Sequence, residues 1–184
     1  MENQRFRAGA KVDDETLSLM DLAGEIAKIA TKEDKKYFIG GGLAIDLSLG
    51  KISRNHHDID FHPLLADLSW WIEWFKNYGL VVKKIEGSEF PETFNIFDQK
   101  GEMVVDLWPM DLKKGVLFIN QGGKYVDAGR HWEETRVCNF NGVAFRIENP
   151  QRVLEQKLRH EKQGQPLRDQ DRHDLELARG TAAN

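Results

Sequence analysis

The stretch 39–61, IGGGLAIDLSLGKISRNHHDIDF, decides the fold of this 184-residue chain. Three glycines at 40–42 follow a short apolar strand, and the pattern predicts a helix over Leu43–Leu49 that ends at Gly50. A helix that begins at glycines offers free backbone N–H groups beside the positive end of its dipole. Such a helix start is suited to binding phosphate groups.

The end of the same stretch carries two aspartates, Asp58 and Asp60. The segment HDIDF is typical of a strand, so these side chains project from one face while Ile59 faces the core. Two carboxylates this close repel each other unless a cation lies between them. The pair therefore predicts a magnesium site, although two aspartates on an exposed strand would also serve solubility. Beside the glycines, the magnesium interpretation is favoured, and it indicates phosphoryl or nucleotidyl transfer.

A third carboxylate is expected from a neighbouring strand. Asp106 interrupts the apolar segment EMVVDLW, where aspartate is disfavoured without a partner. A metal ion, or alternatively an ion pair with a lysine or arginine, would offset the cost of burying it. Asp111, which follows Pro109 in a predicted turn, is the weaker candidate.

Several cations are candidates for contacts with a triphosphate. Arg54 lies just before the aspartates, and Lys157 and Arg159 lie on a predicted helix near the C terminus. The predicted last helix adds Asp171, Arg172 and Asp174. These charged side chains either line a triphosphate groove or form pairs on exposed faces. The glycine spacing matches neither the Walker lysine pattern nor the dinucleotide fingerprint.

The histidines around the aspartates raise a different hypothesis. His56, His57 and His62 suggest a metal-dependent phosphohydrolase built on a His-Asp pair. Such sites gather their ligands from several separated helices, whereas these histidines fall on one predicted strand. The phosphohydrolase is therefore the weaker alternative.

Composition limits the remaining possibilities. A net charge of −4 and a pI near 5.9 argue against a broad nucleic-acid-binding face. The single cysteine, Cys138, excludes an internal disulfide, and no Cys/His spacing resembles a structural zinc site. No apolar run approaches the roughly 18 residues of a membrane helix, and the polar N terminus is unlike a secretory signal. A cytoplasmic protein without membrane contacts is expected.

The rest of the chain predicts an α+β fold with a mixed β-sheet and helices packed on one side. Helical patterns cover 14–31, 66–78, 151–163 and 169–179. Strand patterns cover LVVKKIEG, TFNIF, EMVVDLW, VLFIN and the hairpin RVCNF-NG-VAFRI. We expect a core over 14–148 and a C-terminal helical segment over 149–180 that is not an independent domain.

The stretch IGGGLAIDLSLGKISRNHHDIDF resembles the antibiotic nucleotidyltransferases of the DNA polymerase beta superfamily. It is most similar to the aminoglycoside 2''-O-nucleotidyltransferases, and the lincosamide nucleotidyltransferases come next. The features in family order are the three glycines, the Ala-Ile-Asp helix, Gly50, Arg54, His56 and the Asp58/Asp60 pair. VVDLWP at 104–109 resembles the strand of the third carboxylate, and RDQDRHDLELA resembles the charged closing helix of related members.

The resemblance implies a nucleotidyltransferase-type mixed sheet with a helical C-terminal part. It also implies Mg²⁺-dependent transfer of a nucleoside monophosphate from a nucleoside triphosphate, with ATP the expected donor, to a hydroxyl of a small molecule. The expected acceptor is an aminoglycoside-type antibiotic. Carried over by position, Asp58 and Asp60 bind two Mg²⁺ ions, and Asp106 completes the site and acts as the base. Gly41 and Gly42 hold the triphosphate.

The acceptor is where the resemblance is weakest. Family members often carry tryptophan where Leu43 stands, and residues 63–100 and 110–148 match no single drug-binding pocket. Two alternatives stay open: a nucleotidyltransferase toxin that modifies RNA or protein, and a non-catalytic nucleotide-binding module. The acidic balance of the chain disfavours the toxin, and the three aspartates disfavour the module. Neither the oligomeric state nor the modified hydroxyl follows from the sequence.

Overall fold

The computed structural model describes residues 12–181. The sequence predicts that residues 1–13 are frayed or form a peripheral arm, and most of them lie outside the described residues. Within the described part, the chain forms five α-helices and ten strands. In chain order they are α1 (Asp14–Lys32), β1 (Tyr37–Ile39), α2 (Gly41–Leu49), β2 (Ile59–Pro63), α3 (Leu68–Asn77), β3 (Val81–Lys84), β4 (Phe94–Phe97), β5 (Met103–Leu107), β6 (Asp111–Lys113), β7 (Val116–Gln121), β8 (Lys124–His131), β9 (Arg136–Phe140), β10 (Val143–Ile147), α4 (Pro150–Lys162) and α5 (Asp169–Thr181).

The main sheet has seven strands in the order β3-β4-β5-β2-β1-β10-β9. The pairs β2/β5 and β1/β10 run parallel, and the other neighbours run antiparallel. The parallel pairs bring distant segments of the chain side by side, so β2 with its aspartate motif lies directly beside β5. The predicted α+β class with a mixed sheet and C-terminal helices is confirmed.

The ends of the helices follow the capping signals in the sequence. Asp13 caps α1 through its side chain, and Asn149 caps α4 with Pro150 at the first helical position. α2 ends at Gly50, which adopts the left-handed conformation with φ +66°. α2 begins at Gly41, two residues before its predicted start, so the glycines themselves form its first turn.

Aromatic side chains of α3 fill the core. Trp71 and Phe75 are fully buried, and the ring of Trp71 meets that of Phe61 edge-on with 4.8 Å between centroids. The helical spacing of the sequence predicts Trp70 and Trp74 on the same inner side of α3, but both are only partly buried. Since full burial of a large apolar side chain contributes about 1.5–3 kcal/mol, these rings anchor α3 to the main sheet.

A second sheet with the order β6-β7-β8 was not expected from the sequence. The segment VLFIN predicts β7 alone. β6 is only three residues long, and β8 is mostly exposed and contains Gly129, so neither carries a strand pattern. Phe38, Met110 and Leu117 form a small apolar cluster of their own, which joins this sheet to the main one.

The two C-terminal helices pack against α2. Val153 and Leu154 of α4 and Leu175 of α5 belong to the main hydrophobic core. This packing places charged side chains of both helices close to the glycines at the start of α2. Among the described helices, none is long and apolar enough to cross a membrane.

Candidate active site

Three aspartates from one region of the main sheet line a single cavity of about 820 Å³. Asp60 lies on β2 and Asp106 on β5, and the two are direct partners in the parallel register of these strands. Asp58 lies one residue before β2, not within the strand as predicted, and it lines the same cavity. Ile59 is fully buried, as the strand alternation predicts. The structure therefore brings all three predicted carboxylates to one cavity.

The surroundings raise the pKa of two of these carboxyl groups. Burial, followed by the negative charges of Asp58 and Asp106, raises the pKa of Asp60 to about 7, and Lys157 acts in the opposite direction. Burial also raises the pKa of Asp106. Oδ1 of Asp106 is buried and has no hydrogen-bond partner among residues 12–181. Carboxylates in this setting need a cation nearby to remain ionised.

The chemistry of these donors fits magnesium. Mg²⁺ prefers oxygen ligands, and it is usually held by one or two carboxylates together with water and substrate phosphates. In the part of the chain that the structure describes, no three His, Cys, Asp or Glu side chains form a ready-made metal site. A magnesium site completed by the phosphates of a nucleotide agrees both with the ligand preference of Mg²⁺ and with the lack of a ready-made site among the described side chains.

The start of α2 brings its backbone directly beside charged side chains of the cavity. Gly41 adopts φ +60°, and a methyl group at this position would collide with Oδ2 of Asp60. A methyl group on Gly42 would collide with Nη2 of Arg54. Glycine is therefore required at both positions by close approach, and at 41 also by the backbone conformation. A helix N terminus beside an arginine is a favourable place for a phosphate group.

Two of the cations that were predicted to contact a triphosphate, Arg54 and Lys157, line the cavity and are held by α5, whereas Arg159 and Arg172 are exposed and lie outside it. Arg54 donates from Nε and Nη2 to the two carboxylate oxygens of Asp174, at 2.9 and 3.1 Å. Nζ of Lys157 lies 3.2 Å from Asp174 and contacts Asp171 more closely. Arg168 donates from Nε to Asp171 as well. The acidic side chains of α5 thus collect three cations around the cavity.

Two carboxylates of α5 are interior groups. Asp174 is fully buried and Asp171 is nearly so, so the alternative of pairing on exposed faces does not hold for them. Burial acts to raise the pKa of Asp171, but hydrogen bonds from the neighbouring cations outweigh it and hold the pKa well below its usual range. The carboxyl group of Asp171 is therefore expected to stay ionised at neutral pH as long as its cations remain in place.

Another buried carboxylate, which sequence reasoning did not identify, organises the segment before Asp58. Asp46 of α2 is fully buried and accepts hydrogen bonds from the backbone N–H and the hydroxyl of Ser53 and from Nε2 of His56. These bonds fix the turn that carries Arg54 towards the cavity. The signal in the sequence was an aspartate within the apolar helix AIDLSL.

The three histidines near the aspartates line the same cavity, but each makes different contacts. His56 bonds to Asp46, and the His57 side chain is 70% exposed. His62 is buried, its Nδ1 donates to the carbonyl oxygen of Trp108, and burial lowers its pKa to about 3. They form no shared ligand set in the described structure, so the phosphohydrolase hypothesis has no support from the geometry.

Another wall of the cavity comes from the second sheet and from the segment that leads into it after β5, and the sequence did not predict it. Its apolar side chains are Trp108, Met110, Ile119 and Ala128. Arg130 of β8 donates from Nε to Glu148, which is only 4% exposed and follows β10 directly. This ion pair lines the cavity and joins the two sheets at its edge. A glutamate directly after an apolar strand was the only sequence signal for it.

Comparison with known protein families gives one match over most of the chain. A family model described as aminoglycoside-2''-adenylyltransferase matches residues 24–177. The matched range includes the glycine run, the three aspartates and the charged residues of α4 and α5. A search of curated protein sequences finds no significant match.

Several solved structures share the fold. The crystal structure of lincosamide antibiotic adenylyltransferase LnuA, lincomycin-bound, has a TM-score of 0.67 at 18% identity, covering 91% of this chain and 96% of that chain. The crystal structure of ANT(2")-Ia in complex with adenylyl-2"-tobramycin has a TM-score of 0.66 at 17% identity, covering 91% and 90%. The solution structure of ANT(2'')-Ia has a TM-score of 0.66 at 17% identity, covering 91% and 85%.

Proposed function

The chain belongs to the aminoglycoside-2''-adenylyltransferase family of antibiotic-modifying nucleotidyltransferases, and we propose that it transfers AMP from ATP to a hydroxyl of an aminoglycoside-type antibiotic. The observation that carries the proposal is the direct pairing of Asp60 with Asp106, in one cavity with Asp58 and the glycine-led start of α2. Nucleotidyl transfer needs carboxylates that bind metal ions and a site that binds the phosphates, and this cavity offers both side by side. We expect the enzyme to act in the cytoplasm, where ATP is available.

The triphosphate is proposed to bind at the start of α2. Backbone N–H groups of Gly41 and Gly42 face the phosphates, and the absence of side chains lets the phosphates approach the backbone closely. Arg54 and Lys157 line the same cavity and neutralise the remaining charge. Arg54 offers a planar fork of donors, whereas Lys157 acts as a point charge.

Asp58, Asp60 and Asp106 are proposed to hold two Mg²⁺ ions together with the triphosphate. When bound, magnesium neutralises phosphate charge and lowers the pKa of the acceptor hydroxyl. The protein contributes the burial that raises the pKa of Asp60 and Asp106 and so makes their carboxylates strong partners for a cation.

Asp106 is proposed to accept the proton of the acceptor hydroxyl. Its buried Oδ1 has no partner within residues 12–181, and burial raises its pKa, which makes it a better base. The hydroxyl oxygen forms a bond to the α-phosphorus as the proton leaves. The bond from the α-phosphorus to the bridging oxygen breaks, and pyrophosphate departs in line. The products are the adenylylated antibiotic and pyrophosphate.

The carboxylates of the cavity favour a polycationic acceptor. ANT(2")-Ia, which shares this fold, was solved with adenylyl-2"-tobramycin, and this supports an aminoglycoside as the first candidate. The apolar wall of Trp108, Met110 and Ile119 favours a lincosamide as the second candidate acceptor. LnuA, which also shares the fold, was solved with lincomycin.

A pyrophosphate-release screen tests the proposal. The protein is incubated with Mg²⁺, with each of the four nucleoside triphosphates in turn, and with aminoglycosides, lincosamides or RNA. The masses of the products are measured by mass spectrometry. We expect release with ATP and at least one aminoglycoside, together with an acceptor product heavier by one AMP. Release with RNA alone, or nucleotide binding without pyrophosphate release for any antibiotic, would contradict the proposal.

A further inference from the structure

Asp174 joins two cations that come from distant parts of the chain. Its carboxylate accepts two hydrogen bonds from Arg54, which precedes β2, and lies 3.2 Å from Nζ of Lys157 on α4. Both cations line the cavity, whereas Asp174 is fully buried within the packing of α5. One interior carboxylate therefore links the two side chains that are proposed to contact the triphosphate.

The contact with Arg54 fixes an orientation as well as a charge. A carboxylate that receives two parallel N–H donors from a guanidinium determines the plane of that group. The other side of the guanidinium lies against Gly42, where an added methyl group would collide with Nη2 and would come within 3.0 Å of Asp174. Arg54 is thus held between the carboxylate of α5 and the start of α2.

A fully buried carboxylate is costly, and its two cations offset that cost. An apolar residue would pack at position 174 without this cost, but it would remove the carboxylate that holds Arg54 and would leave Lys157 paired with Asp171 alone. The charge at position 174 is therefore better explained by the cations it holds than by the packing of α5 alone.

We propose that Asp174 is a positioning residue for nucleotide binding, which holds Arg54 and Lys157 in the orientation that receives the triphosphate. The inference rests on the proposed role of these two cations. Asp174 acts only through them and makes no contact with the acceptor. Its loss should therefore weaken the use of nucleotide and leave the use of acceptor nearly unchanged. A purely structural role would instead lower thermal stability and the fraction of active enzyme without a selective effect on nucleotide.

The test compares Asp174→Asn with Glu176→Gln in the full chain. Both variants remove one negative charge from α5, but Glu176 is exposed. Because a misplacement of about 1 Å costs on the order of 100-fold in rate, we expect kcat/KM for ATP to fall by about 10- to 100-fold in Asp174→Asn. This fall should come mainly from a higher KM for ATP, with the KM for acceptor within about twofold of the wild type. Glu176→Gln should match the wild type.

A folded Asp174→Asn protein with an unchanged KM for ATP would overturn the proposal. If Asp174→Asn does not fold, Asp174→Glu is used to test the proposal instead, because it keeps both ion pairs but displaces them by one methylene group. We expect that variant to retain the melting temperature and to raise the KM for ATP, and an unchanged KM would again overturn the proposal.

Calorimetric titration with ATP and Mg²⁺ separates this inference from the proposed function. If the wild type releases no pyrophosphate with any acceptor, the proposed function fails. Weaker ATP binding by Asp174→Asn than by Glu176→Gln would then still support the positioning role, and equal binding would overturn it.

Discussion

The backbone of Gly41 lies directly against the carboxylate of Asp60. A side chain at position 41 would collide with Oδ2 of Asp60, and the glycine adopts φ +60°, which side chains rarely tolerate. The glycine that begins α2 and the aspartate near the start of β2 therefore depend on each other for their positions. The backbone that is proposed to bind phosphate and the acidic side chains form one unit.

Gly41→Ala should nearly abolish transfer while the protein stays folded. The methyl group must displace the Asp60 carboxylate, and we expect at least about a 100-fold loss of kcat/KM from misplacement. Gly50→Ala is the matched control, because Gly50 also has positive φ but meets no described atom within 4 Å. It should cost only about 1–2 kcal/mol of stability and leave kcat/KM nearly unchanged. Comparable activity in the two variants would contradict the close approach.

Asp60→Asn should raise the melting temperature of metal-free protein. Above the pKa of about 7 that burial and the neighbouring aspartates produce, Asp60 is an ionised group in an unfavourable place. Each kcal/mol of relieved repulsion corresponds to about 2–4 °C in melting temperature for a chain of this size. Calorimetry near pH 8 with a chelator measures the effect. Mg²⁺ should raise the melting temperature of the wild type only, and a variant that melts below the wild type would refute this account.

Asp46→Asn should destabilise the protein in a pH-dependent way. Burial acts to raise the pKa of Asp46, but hydrogen bonds from His56 and Ser53 outweigh it, so the folded-state pKa lies below 3.8. The contribution of this carboxylate is therefore present above the unfolded-state pKa and is lost as the pH falls through the folded-state pKa.

Urea unfolding measures this contribution of Asp46. We expect a loss of about 1–3 kcal/mol at neutral pH, because three donors lose an ionised acceptor. The difference from the wild type should shrink as the pH falls below 3.8. Ser48→Ala, which removes an exposed hydroxyl from the same helix, should change stability by less than about 0.5 kcal/mol. A pH-independent difference between Asp46→Asn and the wild type would argue against the carboxylate as its source.

Glu148→Ala should be far more destabilising than removal of a surface ion pair. Glu148 is 4% exposed, and its loss leaves the Arg130 guanidinium without its carboxylate, which costs about 3–5 kcal/mol for a buried pair. Glu134→Ala breaks the more exposed contact with Arg152 and should cost about 0–1 kcal/mol. Equal midpoints in urea for the two variants would contradict the structural role of the Glu148 pair.

Local patterns in the sequence were sufficient for the parts of the fold that are decided by neighbouring residues. The glycine run, the stop at Gly50 and the Asn149-Pro150 start of α4 depend on backbone preferences that single residues express. Asp58 and Asp60 were found because two carboxylates this close repel each other unless a cation lies between them. Asp106 was found because a carboxylate within an apolar strand conflicts with its surroundings. Their convergence required the parallel pairing of β2 with β5, which the sequence did not specify.

Features that depend on tertiary contacts could not be predicted. β8 is exposed and polar, and it pairs with β7 without an apolar alternation that would reveal it. Asp46 and Asp174 carry the same charge as many surface residues, and only the packing of α2 and α5 shows that they are interior anchors. The Arg130–Glu148 pair likewise joins two sheets whose contact has no local signal.

The most direct test of the central claim is the rate of pyrophosphate release by Asp106→Asn with ATP, Mg²⁺ and the preferred acceptor. If Asp106 shares the metal site with Asp58 and Asp60 and accepts the hydroxyl proton, the rate should fall by about 100-fold or more, while the protein remains folded. A folded Asp106→Asn protein that releases pyrophosphate at nearly the wild-type rate would contradict the claim.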